Sequence, residues 1–403
     1  MSENITNETT LSSDMRTYYK DYLCDNANEN LVHDQFGQKH PIPQGNGKTI
    51  EFRKYSPLPK ATKPLAEGIT PDGQDLKVTT VSSTVSQYGG WVGIPDMLKT
   101  TTLDNNMVQA TEILGDQAGR TLDTVTREVL NGGTNVMYAP IVKDGVATKV
   151  NARSSLTEDA KLSVDIILRA AAKLKNNLAK TIDGSYVAII HPYVAYDLMR
   201  SAEWMEAHKY AAPENLFNGE IGKIGNVRFV ESNEAKIWRG NDLTAASREL
   251  TVKTAVSSGT EVAVSQAITE EEAIALEGRK VIIGGVEYTV VSAVYGEAGS
   301  AVITLDNQIN CSAGETVYPG EGGQKGISVY STLVLGANAY GVTELENGGL
   351  EHIVKQLGSA GTADPLNQRA SAGWKATKTA ERLVENYMIR IESCSTFADE
   401  YSN

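Results

Sequence analysis

Few residues of this 403-residue sequence have the type and spacing that a chemical site requires. Of its five histidines only His33 and His40 lie close together, at a spacing that matches no zinc signature. His191 follows a short apolar stretch, where α/β enzymes often carry catalytic groups, but no serine elbow, paired carboxylates or cysteine partner accompanies it. We therefore expect no metal site and no catalytic residues, and we interpret His191 as structural.

Two glycine-rich stretches resemble phosphate-binding loops only superficially. Gly219, Gly222 and Gly225 precede a predicted strand, whereas a dinucleotide loop follows a strand and opens a helix. In residues 320–328, Lys325 is followed by Gly326 where a P-loop has serine or threonine. We therefore expect no cofactor, and we interpret residues 320–328 as a linker.

Length, charge and cysteine content exclude several classes of protein. A chain of 43.4 kDa predicts two to three domains, and no apolar stretch approaches the ~18 residues of a membrane span. The net charge of -13 disfavours a general nucleic-acid binder, which must neutralise phosphates. Three scattered cysteines indicate a reducing compartment, and the first residues lack the features of a signal peptide.

Residues 48–90 predict an extended β-hairpin with an irregular tip. Ile50 and Phe52 alternate with polar residues, and residues 76–88 are rich in Val, Thr and Tyr. Six breakers separate the two stretches, namely Pro57, Pro59, Pro64, Gly68, Pro71 and Gly73. Both faces of the returning strand are largely Ser and Thr, so the ribbon needs another surface, on its own domain or on a neighbouring subunit.

The first part of this ribbon is basic although the protein is acidic. Residues 48–63 contain five basic side chains and one acidic side chain, a local charge of +4. An acidic docking partner would suit this charge.

A long helix is predicted over residues 103–130. Apolar residues recur there at steps of three and four, namely Met107, Ala110, Leu114, Ala118, Leu122, Val125 and Val129. Pro95 is expected near a helix start, and Asn131, Gly132 and Gly133 are expected to end the long helix. Gly115 and Gly119 within it indicate either close packing of another backbone or a tolerated bend.

An α/β module follows, with a second domain beginning near Asp183. A helix is predicted after Ser163 with an apolar stripe that runs to Leu178, followed by a buried strand over 186–190. Pro192 is expected to open another helix through Met199, and residues 227–230 predict a further strand.

Residues 251–320 form a small all-β unit of different composition. Gly284 and Gly285 are placed as a hairpin turn between strands 280–283 and 286–294, and residues 301–305 add another strand. Nine acidic and three basic residues give this unit a charge of -6, and we interpret it as an insertion with a solvated surface. A strand over 328–335 and a last strand near Tyr387, which is expected to return to the long helix, complete the chain.

Six stretches of the sequence resemble the major capsid proteins of tailed bacteriophages, specifically the family typified by the N-four-type phages, with the Hong Kong 97-type shell fold. They are residues 31–38 (LVHDQFGQ), 47–54 (GKTIEFRK), 65–73 (LAEGITPDG), 126–133 (TREVLNGG), 186–192 (YVAIIHP) and 218–222 (NGEIG). The resemblance extends over the chain except residues 251–320 and the extreme N-terminus. It implies an α+β fold with a spine helix, an axial domain, an N-terminal arm and an extended loop that overlaps the adjacent subunit.

Each implied part has a candidate segment. These are the N-terminal arm (1–47), the extended loop (48–92), a peripheral domain with the spine helix (93–182), an axial domain (183–250 and 321–345), the β insertion (251–320) and a C-terminal return to the peripheral domain (346–403). The expected inter-subunit residues of the extended loop are Phe52, Arg53, Lys54, Tyr55, Lys60 and Lys63. No lysine, asparagine and acidic trio matches the isopeptide crosslink of some such shells, so we expect no crosslink.

The expected function is that of a shell subunit rather than an enzyme. Arms exchanged between neighbours would bury surface that a compact subunit lacks. The expected partners are copies of the chain in hexamers and pentamers, a portal, and scaffolding or decoration proteins. The expected location is the virion capsid, assembled in the host bacterial cytoplasm around double-stranded DNA that the wall encloses without sequence-specific binding, with no membrane association.

Two other classes stay open at this point. A surface-binding or adhesin-like protein could use the β insertion as its recognition module. An uncharacterised α/β enzyme would need catalytic groups that converge around His191 from distant positions.

Overall fold

The structure is a computed structural model that describes residues 23, 27, 31–41, 48–55, 58, 60–62, 64, 73–97, 106–143, 145–208, 222–344, 350–355, 357–358 and 366–397. Helices whose bounds lie within these ranges are α1 (Asn106–Asn131), α2 (Val164–Asn176), α3 (Pro192–Met199), α4 (Ala202–His208) and α5 (Glu270–Leu276). Short 3₁₀ helices lie at Arg153–Ser155, Gln324–Gly326 and Glu385–Tyr387.

The described residues form many strands and few helices, which confirms the mixed α+β class. The strands are β1 (Gln38–His40), β2 (Thr49–Tyr55), β3 (Val78–Thr84), β4 (Ser86–Pro95), β5 (Val136–Tyr138), β6 (Ile141–Lys143), β7 (Val146–Thr148), β8 (Tyr186–Ile190), β9 (Lys223–Ile224), β10 (Val227–Glu231), β11 (Ile237–Trp238), β12 (Leu250–Thr251), β13 (Val256–Ala263), β14 (Lys280–Ile283), β15 (Val286–Val294), β16 (Val302–Cys311), β17 (Thr316–Pro319), β18 (Val329–Leu335), β19 (Tyr340–Thr343), β20 (Leu350–Lys355), β21 (Arg369–Lys378), β22 (Ala380–Arg382) and β23 (Met388–Ser393).

The chain divides into two compact units. Unit 1 comprises Met1–Gly133 and Ala337–Tyr387, and unit 2 comprises Thr134–Gly336 and Met388–Asn403. The sequence placed the start of the second domain near Asp183, but the fold places it directly after the glycines that end α1. The reason is that β5 pairs with β23 and so belongs to the sheet of unit 2.

Unit 1 is built on the long helix α1. Its apolar stripe is buried, and Leu114, Ala118 and Leu122 pack against Ala372 and Trp374 of β21. The sheet beneath has the order β20-β21-β4, and the same cluster also contains Leu23, Ala27 and Leu31 of the N-terminal segment. Side chains spaced three to four residues apart lie on one face of a helix, and this apolar face of α1 covers the sheet. Burial of that face stabilises the helix.

Ser86–Pro95 differs from the sequence-based expectation. It leaves the hairpin, and β4 pairs over its whole length with β21, from Ser86 opposite Lys378 to Pro95 opposite Arg369. Pro95 ends β4 and directly precedes the helical residues Asp96 and Met97, in agreement with its expected place near a helix start. The hairpin proper consists of β2 and β3 alone, in a two-stranded sheet.

Unit 2 contains a seven-stranded sheet whose strand order is β5-β23-β18-β8-β10-β9, with β11 paired to β18. β8 is buried along its whole length, as its continuous apolar run predicts. The last strand, β23, lies between β5 and β18 in this sheet. Leu178 is also exposed rather than buried, because α2 ends at Asn176 before the apolar stripe reaches it.

The β insertion forms a six-stranded sheet of order β12-β17-β14-β15-β16-β13 with its own core, in which Val281, Ile283, Val290 and Leu305 are buried. Gly284 and Gly285 both have positive φ, as the tight turn between β14 and β15 requires. None of the helices in the described ranges combines the length and the apolar character needed to cross a membrane.

Candidate functional site

The hairpin of β2 and β3 is the structured base of the extended loop. Its ladder runs from Thr49 opposite Thr84 to Tyr55 opposite Val78. Because side chains alternate along a strand, Ile50 and Phe52 share one face of this ribbon.

That face is buried within the subunit's own unit 1. Phe52 has no exposed surface and Ile50 is 5% exposed, and both pack in a cluster with Leu383. The hydroxyls of Ser83 and Thr379 lie 2.7 Å apart beside this cluster. Phe52 therefore has no exposed surface that could contact a neighbouring subunit. It anchors the loop to its own subunit, and we correct its predicted place among the inter-subunit residues.

The distal part of the loop exposes its apolar side chains. Leu58 is 52% exposed, Leu76 62% and Val78 47%, so none of the three has found full burial on its own subunit. We define the distal loop as residues 58–78.

Most of the described basic side chains of the loop are exposed. The side chains of Arg53 and Lys60 are exposed and that of Lys54 is half-buried, and none of them forms an ion pair with any residue that the structure describes. The backbone of Tyr55 pairs with Val78, whereas the side chain of Tyr55 and the whole of Lys63 lie outside the described residues.

A buried polar cluster holds residues 31–38 against α1. The backbone N–H of His33 donates to Asp123 Oδ1 over 2.7 Å, and His33 Nδ1 lies 2.6 Å from Asp123 Oδ2. Neither residue has exposed surface. This pair was missed by the sequence analysis, although a charged residue directly after Leu122 on an apolar helix stripe is a signal that could have identified it.

Asp34, the residue after His33, belongs to the same polar cluster. Thr126 Oγ1 donates to Asp34 Oδ1 over 2.5 Å, and Lys378 Nζ, which is completely buried, donates to Asp34 Oδ2. The hydroxyl of Tyr340 donates to the carbonyl of His33, and burial, reinforced by the nearby carboxylates, raises the pKa of Tyr340 well above its usual value. The cluster thus ties the N-terminal segment to α1 and β21.

His40 does not join His33 in a common site. Its ring contacts the ring of Phe52 edge-on, with 4.9 Å between the centroids. The described ranges contain no group of three metal-ligating side chains close enough to hold a metal ion.

His191 occupies the N-cap position of α3. Its Nδ1 accepts a hydrogen bond from the backbone N–H of Tyr193 over 3.2 Å, and its ring lies 5.1 Å from that of Tyr330. Burial lowers the pKa of His191 to about 4. The imidazole is therefore neutral at physiological pH and acts as a helix cap.

The glycine-rich stretches form backbone turns in the described part of the chain. Gly225 and Asn226, both with positive φ, form the two-residue turn between β9 and β10, while Gly219 lies outside the described residues. Around Lys325 the chain forms a short 3₁₀ turn, and Arg248 donates to the carbonyls of Arg239 and Gly326.

The two described cysteines are buried thiols. Burial raises the pKa of Cys394 to about 12 and also raises the pKa of Cys311. Both are therefore protonated and poorly nucleophilic. Cys24 lies outside the described residues.

The model of a family described as phage capsid protein matches residues 78–303, which is more than half of the chain. A search of curated proteins gave no match.

Three of the solved structures with a similar fold are capsids or heads of phages. The capsid of Ralstonia phage GP4 superimposes with a TM-score of 0.53 at 13% identity, covering 92% of this chain and 90% of that one. The capsid of cyanophage P-SCSP1u gives 0.51 at 13% identity, covering 91% and 89%. The head structure of Helicobacter pylori bacteriophage KHP40 gives 0.51 at 11% identity, covering 90% and 88%. The shell fold that the resemblance implied is thereby confirmed.

Proposed function

Because the chain belongs to the phage capsid protein family and is a major capsid protein that forms the shell of the virion, we propose that its extended loop ties each subunit to a neighbouring copy. The observation that supports the proposal is the difference in burial between the base of the loop and its distal part. Its base is anchored by the buried Phe52, whereas its distal part exposes Leu58, Leu76 and Lys60, and Lys60 has no ion-pair partner among the residues that the structure describes.

Burial on a neighbour would stabilise this loop. Fully burying a leucine side chain contributes about 1.5–3 kcal/mol, and an isolated two-stranded ribbon is marginal in water. A contact that repeats at every subunit multiplies this gain over the whole shell. The side chains proposed to make the contact are Arg53, Lys54, Tyr55, Lys60 and Lys63. These are the inter-subunit residues that the sequence predicted, except for Phe52.

We propose a test by deletion of residues 57–73. The expected product is a folded, soluble subunit that forms no closed particles in negative-stain microscopy. A milder variant, Leu58→Ser with Lys60→Ser, should lower the particle yield in the same direction. Leu178→Ser with Lys180→Ser is the matched control, because Leu178 is 73% exposed and Lys180 is exposed at the same spacing.

The control should assemble normally. Normal particles from the deletion would show that the loop does not tie the subunits together.

The division of the chain suggests how the two units serve the shell. We propose that unit 1, with α1 as the spine helix and the extended loop, is the peripheral domain. We propose that unit 2, with the β insertion, is the axial domain. The six stretches that resemble the N-four-type phages support that subfamily as our proposed assignment.

The finer partners are also proposals. We propose that the copies form hexamers and pentamers, that a portal occupies one vertex, and that scaffolding or decoration proteins assist assembly in the host bacterial cytoplasm. We further propose that the shell encloses double-stranded DNA without sequence-specific binding, which the net charge of -13 supports. Salt-dependent binding of duplex DNA to assembled empty shells with micromolar or better affinity would contradict this last proposal.

A further inference from the structure

The strand β4 (Ser86–Pro95) is one edge of the three-stranded sheet of unit 1, whose order is β20-β21-β4. It is ten residues long and pairs with β21 over its whole length without a register shift. Among the residues that the structure describes, no strand pairs with the outer side of β4. The outer side of an edge strand presents N–H and C=O groups with which another chain can pair.

The outer side of β4 lacks the features by which proteins protect an edge strand. Such features are charged side chains, β-bulges and a short length. The sequence of β4, SQYGGWVGIP, contains no charged residue, and its proline is the last residue. The opposite edge of the same sheet, β20, has six residues and carries the exposed side chains of Glu351 and Lys355. The sheet is thus protected at β20 and open at β4.

Side chains in the middle of β4 are exposed on both faces of the sheet. Trp91 is 75% exposed and its neighbour Val92 is 41% exposed, and successive residues of a strand point to opposite faces. By contrast, Trp204 and Trp374 are 4% exposed and Trp238 is half-buried. Most of the ring of Trp91 is therefore left uncovered by its own subunit.

The register of the sheet places a second apolar side chain near Trp91. Trp91 lies opposite Gly373 of β21, and Gly373 lies opposite Ile353 of β20, which is 40% exposed. Residues that are directly opposite share one face of a sheet, so Trp91 and Ile353 flank Gly373 on the same face. The other face carries Ala372 and Trp374, which pack against α1. The solvent face of an antiparallel sheet is commonly polar, whereas this one is apolar at its centre.

We infer that the edge of β4 and the ring of Trp91 are covered by a second copy of this chain, through a segment that pairs with β4 as an added strand. In strand addition, main-chain hydrogen bonds supply affinity and side chains at alternate positions supply specificity. Tryptophan is enriched at protein interfaces and is often among the side chains that contribute most to binding. The open edge and the exposed ring together supply both parts of such a contact.

The function of the chain identifies the occupant as another copy. A major capsid protein forms the shell from copies of itself, so every subunit has other copies beside it. A pairing that repeats at every subunit closes an edge that an isolated subunit leaves open. Duplex DNA does not suit this surface, because β4 has no basic residue that could neutralise a phosphate.

Hydroxyl-radical oxidation tests the contact at Trp91 without a variant. Unassembled subunits and shells assembled from the purified chain alone are treated alike, and mass spectrometry measures the oxidation of each tryptophan. We expect Trp91 to be oxidised readily in the subunit and, in the shell, as slowly as the buried Trp374. Equal oxidation of Trp91 in subunit and shell would overturn the inference, as would protection that appears only when another virion protein is added.

Hydrogen exchange of the peptide that contains residues 86–95 tests the strand pairing. The outward N–H groups of β4 should exchange rapidly in the subunit and slowly in the shell. Exchange at the same rate in both states would show that no strand is added to β4, and the inference would then be wrong.

A charge placed on the edge gives a third test, because charged side chains on an edge strand oppose pairing. Trp91→Lys should abolish closed particles, while Trp91→Phe, which keeps an aromatic ring, should form them. Leu178→Lys is the matched control, since Leu178 is 73% exposed, and it should assemble normally. A thermal unfolding midpoint equal to that of the unchanged subunit shows that each variant folds. Normal particles from Trp91→Lys would contradict a contact at this edge.

The outcomes also distinguish this contact from that of the extended loop, because deletion of residues 57–73 leaves the sequence of β4 unchanged. If the deletion blocks assembly while Trp91→Lys assembles normally, the loop keeps its role and the edge of β4 is not an interface. If Trp91→Lys blocks assembly while the deletion leaves normal particles, the edge is an interface and the proposed role of the loop is wrong.

Discussion

The ring of Phe52 lies against the backbone of Gly341, so closely that a Cβ atom at position 341 would overlap the ring. Phe52 belongs to β2 of the extended loop and Gly341 to β19, a strand far along the chain. The base of the loop is therefore held by a backbone approach that only glycine permits at this position.

Gly341→Ala should loosen this anchor. The added methyl group must displace a ring that has no free space, and overpacking of this kind costs about 1–3 kcal/mol. The measurement is the midpoint of denaturant unfolding of the unassembled subunit. Gly73→Ala is the control, since nothing lies within 4 Å of a Cβ atom there, and its midpoint should stay unchanged. Equal midpoints for both variants would contradict the proposed anchoring.

Asp123→Asn should release the N-terminal segment from α1. The substitution removes the charge that pairs with His33 inside the protein, and a hydrogen bond to a charged group contributes about 1.5–3 kcal/mol. We expect a lower unfolding midpoint and faster chymotrypsin cleavage at Phe36. Glu112→Gln, on an exposed position of the same helix, should change neither quantity. Unchanged cleavage in Asp123→Asn would argue against the contact as the tie.

Lys378→Met should be strongly destabilising. It leaves the carboxylate of Asp34 buried without its ammonium partner, and breaking a buried ion pair costs about 3–5 kcal/mol. The double variant Asp34→Asn with Lys378→Met should lose less than the sum of the two single losses, because the pair is coupled. Denaturant titration of all three variants measures this coupling.

The two single variants and the double variant at Asp34 and Lys378 form a double-mutant cycle, and its control is Lys375→Met on the same strand, β21. Lys375 pairs with Glu351 at the surface, 3.0 Å between Nζ and Oε2, and an exposed pair contributes about 1 kcal/mol at most. Additive losses in the Asp34 and Lys378 cycle would show that the two groups do not interact.

His191 should make the subunit less stable in mild acid. Burial lowers its pKa to about 4 in the folded protein, against about 6.5 in an unfolded chain, so the unfolded state binds more protons between these values. The contribution of neutral His191 to the free energy of unfolding is fully present above pH ~6.5. It is lost as the pH decreases toward 4, and the loss is at most about 3 kcal/mol.

Denaturant midpoints from pH 4 to 7 measure the effect, and His191→Asn is the matched variant. Asn retains a side-chain acceptor for the N–H of Tyr193 but does not titrate, so its pH dependence in this window should be flatter. An NMR titration showing His191 protonated near pH 6.5 would refute the assignment.

Local patterns predicted the elements that are fixed by local physics. The helix expected over 103–130 is observed at Asn106–Asn131, because its apolar stripe and terminal glycines act within the segment itself. The turn at Gly284 and Gly285 and the helix from Pro192 to Met199 are observed at the predicted positions for the same reason.

Long-range pairing could not be predicted in this way. Ser86–Pro95 directly follows the Val- and Thr-rich strand of the hairpin, yet it pairs with β21, whose sequence carries no mark of that partner. The burial of Phe52 could not be predicted for the same reason, because Phe52 packs against Leu383, which is far away in the sequence. The basic charge of the loop was visible as a local excess of lysine and arginine, but only the structure distinguishes the anchored base from the exposed side chains of Leu58 and Leu76.

The place of β23 has a consequence for synthesis on the ribosome. This strand lies inside the sheet of unit 2, between β5 and β18, and it is translated after every other strand of that sheet. A nascent subunit interrupted before Met388 would lack the strand that joins β5 to β18. Premature termination would therefore leave this sheet incomplete even though every other strand of it had been made.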